Sequence, residues 1–411
     1  MLIFVGAGLS SVDDLTISGL KALRSSEHVY LDMYTSIIPG FAKELEQLIA
    51  TDVQLADREL IEEGHELLEL ARDHTVSFVV IGDPLSATTH ADLILRAVKL
   101  NIPFRIIHNT SIMTAVGCCG LQLYNFGATI SIPFWDESGA PDSFYDKLLG
   151  NFASGLHTLC LLDIRVKEKS LENILRQRNV YEPSRFMSCE IAAQQLLEIA
   201  DKRQASSGDI CPALAPDCLA VGLARVGSAT QMIVVTSLKE MSRTCDDERK
   251  TCDSASVAMT LGGPLHSMII PGFIQPIEEE FLLSRYLHPE SSSQNLPIVA
   301  IPSHSNLSNQ LTDLRQLFAV HNRLVLGAKN GIKHSTKSYM HTLRSFFIAY
   351  LHELRPSLFF QALYVPAIVV VHLCFYVCPL LRLETSGDRP RLRMNYGSLS
   401  PLMLSIVGPE V

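Results

Sequence analysis

Residues 78–90 read FVVIGDPLSATTH, and this stretch decides the fold class. Phe78–Ile81 is an unbroken apolar run, as expected of a strand covered on both faces. Gly82-Asp83-Pro84 then forces a turn, and Ser86, Thr88 and Thr89 supply hydroxyls. From His90 to Leu100 the apolar residues Leu93, Ile94, Ala97, Val98 and Leu100 recur with a helical period. Buried strand, polar loop and amphipathic helix in succession form the repeating unit of an α/β protein. Asp83 stands at the carboxyl end of the strand. Its carboxylate is placed either to accept hydrogen bonds from a ligand or to cap the following helix.

The same beat extends in both directions. Strands are predicted at Leu2–Val5, Val29–Leu31, Phe104–Ile107, Thr129–Ile132, Leu159–Ile164, Leu219–Leu223 and Ser267–Ile270, and further helices at Leu60–Leu70 and Ile191–Ile199. Such alternation implies largely parallel sheets. A boundary near His108–Ser111 divides residues 1–108 from 109–288, giving two α/β lobes with a cleft between them, the usual place for a ligand. The charged segment 242–258 reads as an inserted surface loop, and from about Pro289 the rhythm stops, leaving 289–411 as an extension of unknown structure.

Three other loops carry candidate chemistry. Gly6-Ala7-Gly8-Leu9 follows the first strand, where glycines allow a ligand close to the backbone or simply make a tight turn. The dinucleotide fingerprint fails here, because Ser11 stands where its third glycine belongs. Ser111 opens a helix reaching Leu121, either as an ordinary cap or with its hydroxyl and free amides turned to the cleft. His266 follows Gly262-Gly263-Pro264 at the start of a strand, in a structural or a ligand-binding role.

Composition excludes several classes. The formal net charge is −9, against a nucleic-acid binder. Ten cysteines without a CxxC pair argue against zinc-ribbon and thioredoxin-like sites and against a disulfide scaffold, leaving reduced thiols in the cytoplasm. No metal site, nucleophilic triad or P-loop is legible. The N-terminal MLIFVGAG lacks the basic flank of a signal peptide. Pro356–Leu381 has no Asp, Glu, Lys or Arg and exceeds the about 20 residues that span a bilayer. Gln361, Pro366, His372 and Pro379 dilute it, so a dispensable extension is expected rather than a membrane anchor.

Taken together, VGAGL (5–9), YTS (34–36), ADRE (56–59), GDPLSATTH (82–90), IHNTSIMTAVGCCGLQLYNFG (107–127), HTLCLLDI (157–164), EPSRFMS (182–188), GLARVG (222–227) and PLHS (264–267) resemble the tetrapyrrole-methylase family of S-adenosylmethionine-dependent methyltransferases. Within that family they resemble the branch that acts in diphthamide biosynthesis. The resemblance implies that S-adenosylmethionine lies between the lobes, touched by Leu9, Asp83, Ser86, Ser111, Ile112, Leu162, Leu223 or Ala224, and His266. The family often has Gly or Val where Ser86 stands. It further implies a protein substrate, elongation factor 2, whose amino-carboxypropyl-modified histidine receives the methyl groups and becomes the methyl ester. A homodimer is also in keeping with the family. The alternatives are a small-molecule methyltransferase of the tetrapyrrole type and a non-catalytic S-adenosylmethionine-binding protein. The sulfonium methyl is already activated, so alignment matters more than acid–base groups, and no general base is assigned.

Overall fold

Strands β1 (Leu2–Gly6), β2 (His28–Asp32), β3 (Val53–Ala56), β4 (Val76–Val80) and β5 (Phe104–Ile107) form the first sheet, in the order β3-β2-β4-β1-β5. Every pairing in it is parallel. In this computed structural model the described residues are 1–287, except 36, 137–138, 169–172, 174, 177, 179, 208–213 and 244–260, together with 298–300, 314–329, 381–384 and 391–394. Alternation along β1 explains how the sheet is covered. Leu2 and Phe4 face Ile61, Leu67, Leu68, Leu93 and Ala97 on one side. Ile3 and Val5 face Leu23, Phe41, Leu45 and Ile49 on the other. Both faces are therefore apolar, and β1 and β4 are buried throughout.

The second sheet contains β6 (Ile130–Ile132), β7 (Thr158–Leu162), β10 (Leu219–Ala224), β11 (Met232–Ser237), β12 (His266–Ile270) and β13 (Ile298–Ala300), ordered β13-β11-β10-β12-β7-β6. A separate antiparallel pair, β8 (Ile164–Arg165) with β9 (Arg185–Phe186), follows β7 in the chain. The expectation of largely parallel sheets fails here. β10 runs antiparallel to β11 and β12, and β12 runs antiparallel to β7. Apolar content reports burial, not strand direction, so both kinds of sheet read alike in sequence.

Three helix expectations are also corrected. Leu60–Leu70 is two helices, Arg58–Glu63 and His65–Asp73, because Gly64 takes φ +61° between them. The helix opened by Ser111 stops at Ala115, continues as a 3-10 turn through Cys119 and does not reach Leu121. The predicted Ile191–Ile199 helix runs from Cys189 to Ser207.

Past Pro289 the chain still contributes to the second lobe. A helix over 314–329 presents Leu314, Phe318, His321 and Val325, spaced to share one face and all buried. Leu314 and Phe318 pack on the face of the sheet that holds Val221 and Ile269, while Val325 joins the core of the other face. His321 accepts from Leu219 N at 3.0 Å and donates to Gly272 O at 2.9 Å. Burial pushes its pKa down to about 4. A second buried imidazole, His157, accepts from Gly272 N at 2.8 Å and donates to Glu278 at 3.0 Å, tying the Pro276–Leu287 helix to the sheet.

Residues 1–333 form one unit and 334–411 another. In the latter the described residues are an antiparallel pair, Leu381–Glu384 with Arg391–Met394. Among the described residues no helix is long and apolar enough to cross a membrane. Most of the apolar stretch 356–381 lies outside them, as do residues 244–258 of the inserted loop 242–258.

Candidate functional site

Ligands of open parallel sheets settle beyond the carboxyl ends of the strands. In the first lobe those ends carry the loops after β1, β4 and β5. The first two are pinned together: Gly82 N donates to Gly8 O at 2.7 Å, and Gly8 N to Gly82 O at 3.3 Å. Gly8 has φ +83°, and a Cβ there would lie 2.4 Å from Asp14 Cβ, so the turn requires glycine. Asp14 organises the chain just after this turn. Its Oδ2 accepts from Ser10 N at 2.8 Å, Ser10 Oγ at 2.9 Å and Leu9 N at 3.1 Å. Ser11, at the position that broke the dinucleotide fingerprint, is the N-cap of the short turn that ends at Asp14.

Asp83 is buried, and protein donors occupy its carboxylate. Oδ1 accepts from Leu85 N at 3.0 Å, and Oδ2 from His108 Nδ1 at 2.8 Å and Asn109 N at 3.1 Å. Burial alone would raise its pKa, but the Leu85 amide, the His108 ring and the Asn109 amide outweigh it and hold the carboxyl below its usual range. Asn109 in turn donates to Gly6 O at 3.0 Å and Asp14 O at 2.9 Å. Asp83 thus fastens the β4 loop to the β5 loop.

Between the lobes lies a cleft of about 630 Å³. Leu9, Ser86, Ser111, Ile112, Leu162, Leu223 and His266 line it, whereas Asp83 and Ala224 stand behind its wall. Ala224 is fully buried on the core face opposite Leu223. The second-lobe residues meet because β12 is antiparallel to its neighbours. His266, at the start of β12, pairs with Ala224 at the end of β10, and Ser267 pairs with Leu161 near the end of β7.

Ser111 occupies the N-cap position, but its hydroxyl makes no capping bond. It is buried and borders the cleft, unlike an ordinary cap. The His266 ring is already engaged. Nε2 donates to Gly262 O and Gly263 O, each at 3.1 Å, and Nδ1 accepts weakly from Cys189 N at 3.4 Å. Burial lowers its pKa, so the neutral ring holds the glycine turn against the cleft.

Several lining residues stand in the quoted motifs but are absent from the site set inferred from them. Arg225 binds Thr230 O at 2.9 Å and Leu261 O at 2.9 Å, closing one wall from within. Tyr34 and Thr35 form another, and Asp163 a third. Asp14 does not line the cleft, yet its place three residues after Ser11 matches a capping box, the one local signal that marks it. Lys167 Nζ of the second lobe lies 2.9 Å from Asp57 Oδ2 of the first, linking the two lobes directly. Among the described residues no cluster of His, Cys, Asp and Glu could hold a metal ion.

Two α/β lobes facing each other across such a cleft define a class. Residues 1–192 match the family model described as tetrapyrrole (corrin/porphyrin) methylases. The chain is 48% identical to the diphthine methyl ester synthase of Bos taurus over 296 residues, covering 72% of this chain and 98% of that one. It is 47% identical to the Homo sapiens counterpart over 300 residues, covering 72% and 99%. A crystal structure of diphthine synthase superposes with a TM-score of 0.53 at 28% identity, covering 69% of this chain and 94% of that one. The chain belongs to the diphthine methyl ester synthase family and is a methyltransferase of diphthamide biosynthesis.

Proposed function

We propose that the enzyme binds S-adenosylmethionine in the inter-lobe cleft and methylates the amino-carboxypropyl-modified histidine of elongation factor 2, forming diphthine methyl ester. One observation carries the reading: loops from both lobes, distant in sequence, converge on one cleft whose lining includes the uncapped, buried Ser111 hydroxyl. Leu9, Ile112, Leu162 and Leu223 give apolar surface there, and Ser86 and Ser111 give hydroxyls, a donor set suited to a nucleoside with an amino-acid tail. Asp83 and His108 hold this wall from behind, and Ala224 lies in the second-lobe core behind Leu223.

The cofactor supplies a methyl group on positively charged sulfur. The chain's contribution is to align an amine or carboxylate of the acceptor with it and to exclude water. The acceptor is a cytoplasmic protein, so the enzyme is assigned to the cytoplasm. A homodimer is in keeping with the family. The test is mass spectrometry of elongation factor 2 carrying the amino-carboxypropyl histidine after incubation with the enzyme and S-adenosylmethionine. Stepwise addition of methyl groups at that histidine is expected. An unmodified histidine, with cofactor binding demonstrated by calorimetry, would overturn the assignment.

A further inference from the structure

Two motifs, YTS at 34–36 and ATTH at 87–90, carry cleft-lining residues outside the cofactor set inferred above, Tyr34 and Thr35 in one and Thr88 and Thr89 in the other. Asp32, the last residue of β2, and His90, the first of the helix after Thr89, are both fully buried. His90 Nδ1 lies 3.0 Å from Pro84 O, and a carbonyl only accepts, so this nitrogen carries a proton. The ring packs edge-on against Phe78, with centroids 5.1 Å apart. Nε2 lies 3.3 Å from Asp32 Oδ2 but is poorly aligned, which leaves it without a proper hydrogen bond. Such a buried polar atom needs a reason.

Asp32 passes the constraint on to the cleft. Its Oδ1 accepts from Tyr34 N at 2.7 Å and Thr35 N at 3.2 Å, and its Oδ2 accepts from the Thr35 hydroxyl. Tyr34 and Thr35 line the cleft, as do Thr88 and Thr89 on the His90 side. The pair therefore joins two walls from below. Because its proton points at Asp32, Thr35 Oγ1 is left as an acceptor, fit to receive an N–H.

Topology places Thr35 beside the β4 loop that bears Ser86 and across β4 from the β1 loop. The first-lobe residues of the cofactor set lie on loops after β1, β4 and β5, while Thr35 follows β2, on the opposite side of β4 from β1. We propose that Asp32 and His90 are positioning residues that hold Thr35 Oγ1 to accept a hydrogen bond from the amino group of the acceptor side chain, an inference that rests on the function proposed above. With Nδ1 already donating to Pro84 O, Nε2 donates to Asp32 only in the doubly protonated ring, the form in which the two close up when the acceptor enters.

The experiment uses the full chain with Thr35→Val, His90→Asn, His90→Gln and the double variant Thr35→Val/His90→Asn. KM and kcat are measured on the modified elongation factor 2 at saturating S-adenosylmethionine. Cofactor affinity is measured by calorimetry with S-adenosylmethionine alone. Valine keeps the volume of threonine, so Thr35→Val remains informative if a His90 variant does not fold. Asparagine keeps a donor at the Nδ1 place only, whereas glutamine places one where Nε2 stood. Thr35→Val and His90→Asn should each raise KM about tenfold, the worth of one hydrogen bond to a charged group, with unchanged cofactor affinity. The double variant should be no worse than either single, and His90→Gln should recover much of the loss. An unchanged KM in Thr35→Val, additive losses in the double variant, or an equal loss of cofactor affinity would overturn the proposal. A wild-type enzyme that binds S-adenosylmethionine but leaves elongation factor 2 unmodified would overturn the function beneath it.

Discussion

Replacing His321 by glutamine tests whether the helix at 314–329 is part of the second lobe's structure. The wild-type ring is neutral, accepting from Leu219 N and donating to Gly272 O. Its pKa is pushed down from 6.5 to about 4, chiefly by burial. The unfolded chain takes up a proton near pH 6.5 that the folded protein refuses until about pH 4. The stabilising effect of the neutral ring is therefore complete above pH 6.5 and is lost as pH falls through this window. A shift of that size corresponds to about 3 kcal/mol, with a slope of at most about 1.4 kcal/mol per pH unit. At pH 7 the glutamine variant should be less stable by about 1–3 kcal/mol, because one buried backbone group loses its partner. The difference between the proteins should shrink toward pH 4, since glutamine does not titrate. Trp135, the sole tryptophan of the sequence, packs against the same core as Val325 and provides the fluorescence signal for urea denaturation. Parallel stability curves for the two proteins between pH 7 and pH 4 would refute the reasoning.

Asp83→Asn should cost about 2 kcal/mol in thermal or urea unfolding, because the amide cannot accept at both positions served by the carboxylate, and it should loosen the β5 loop that bears Ser111. Gly8→Ala forces a Cβ onto Asp14 at a φ of +83°, and should weaken S-adenosylmethionine binding in calorimetry by at least about tenfold with a smaller loss of melting temperature. Lys167→Ala removes a half-exposed ion pair and should change stability by less than about 1 kcal/mol, yet speed cofactor release in stopped-flow displacement because the lobes lose a direct link.

The first lobe is the more legible one. FVVIG and LIFVG are continuous apolar runs because both faces of their sheet are covered; the second is β1 itself, while β4 takes Phe78–Val80 of the first and begins two residues earlier, at Val76. β3 is not legible because only Val53 and Ala56 of its four residues are buried, leaving no run to see. β11 sits between the polar turn 225–231 and a charged insertion, and its MIVVTS is not among the predicted strands despite its apolar centre. The helix at 314–329 hides its periodicity because one member of its buried face is His321. At the site, the residues quoted from motifs converge on a single cleft, but local sequence does not tell which side chains face it. Asp83 turns inward and Leu223 takes the cleft face in place of Ala224, both consequences of strand register and three-dimensional hydrogen bonding. Arg225 and Tyr34 join the lining only through contacts between segments remote in sequence.

The late position of the 314–329 helix bears on how the protein is made. On the ribosome, β10 and β12 emerge well before Phe318 and His321, so Val221 and Ile269 wait with part of their apolar face uncovered and Leu219 N and Gly272 O unpartnered. The first lobe draws only on residues up to Ile107 for its sheet and can close long before. Synthesis is therefore vectorial in its hazards. A ribosome stalled between β12 and the helix leaves a finished first lobe attached to an open, sticky second one, the kind of nascent chain that chaperones hold.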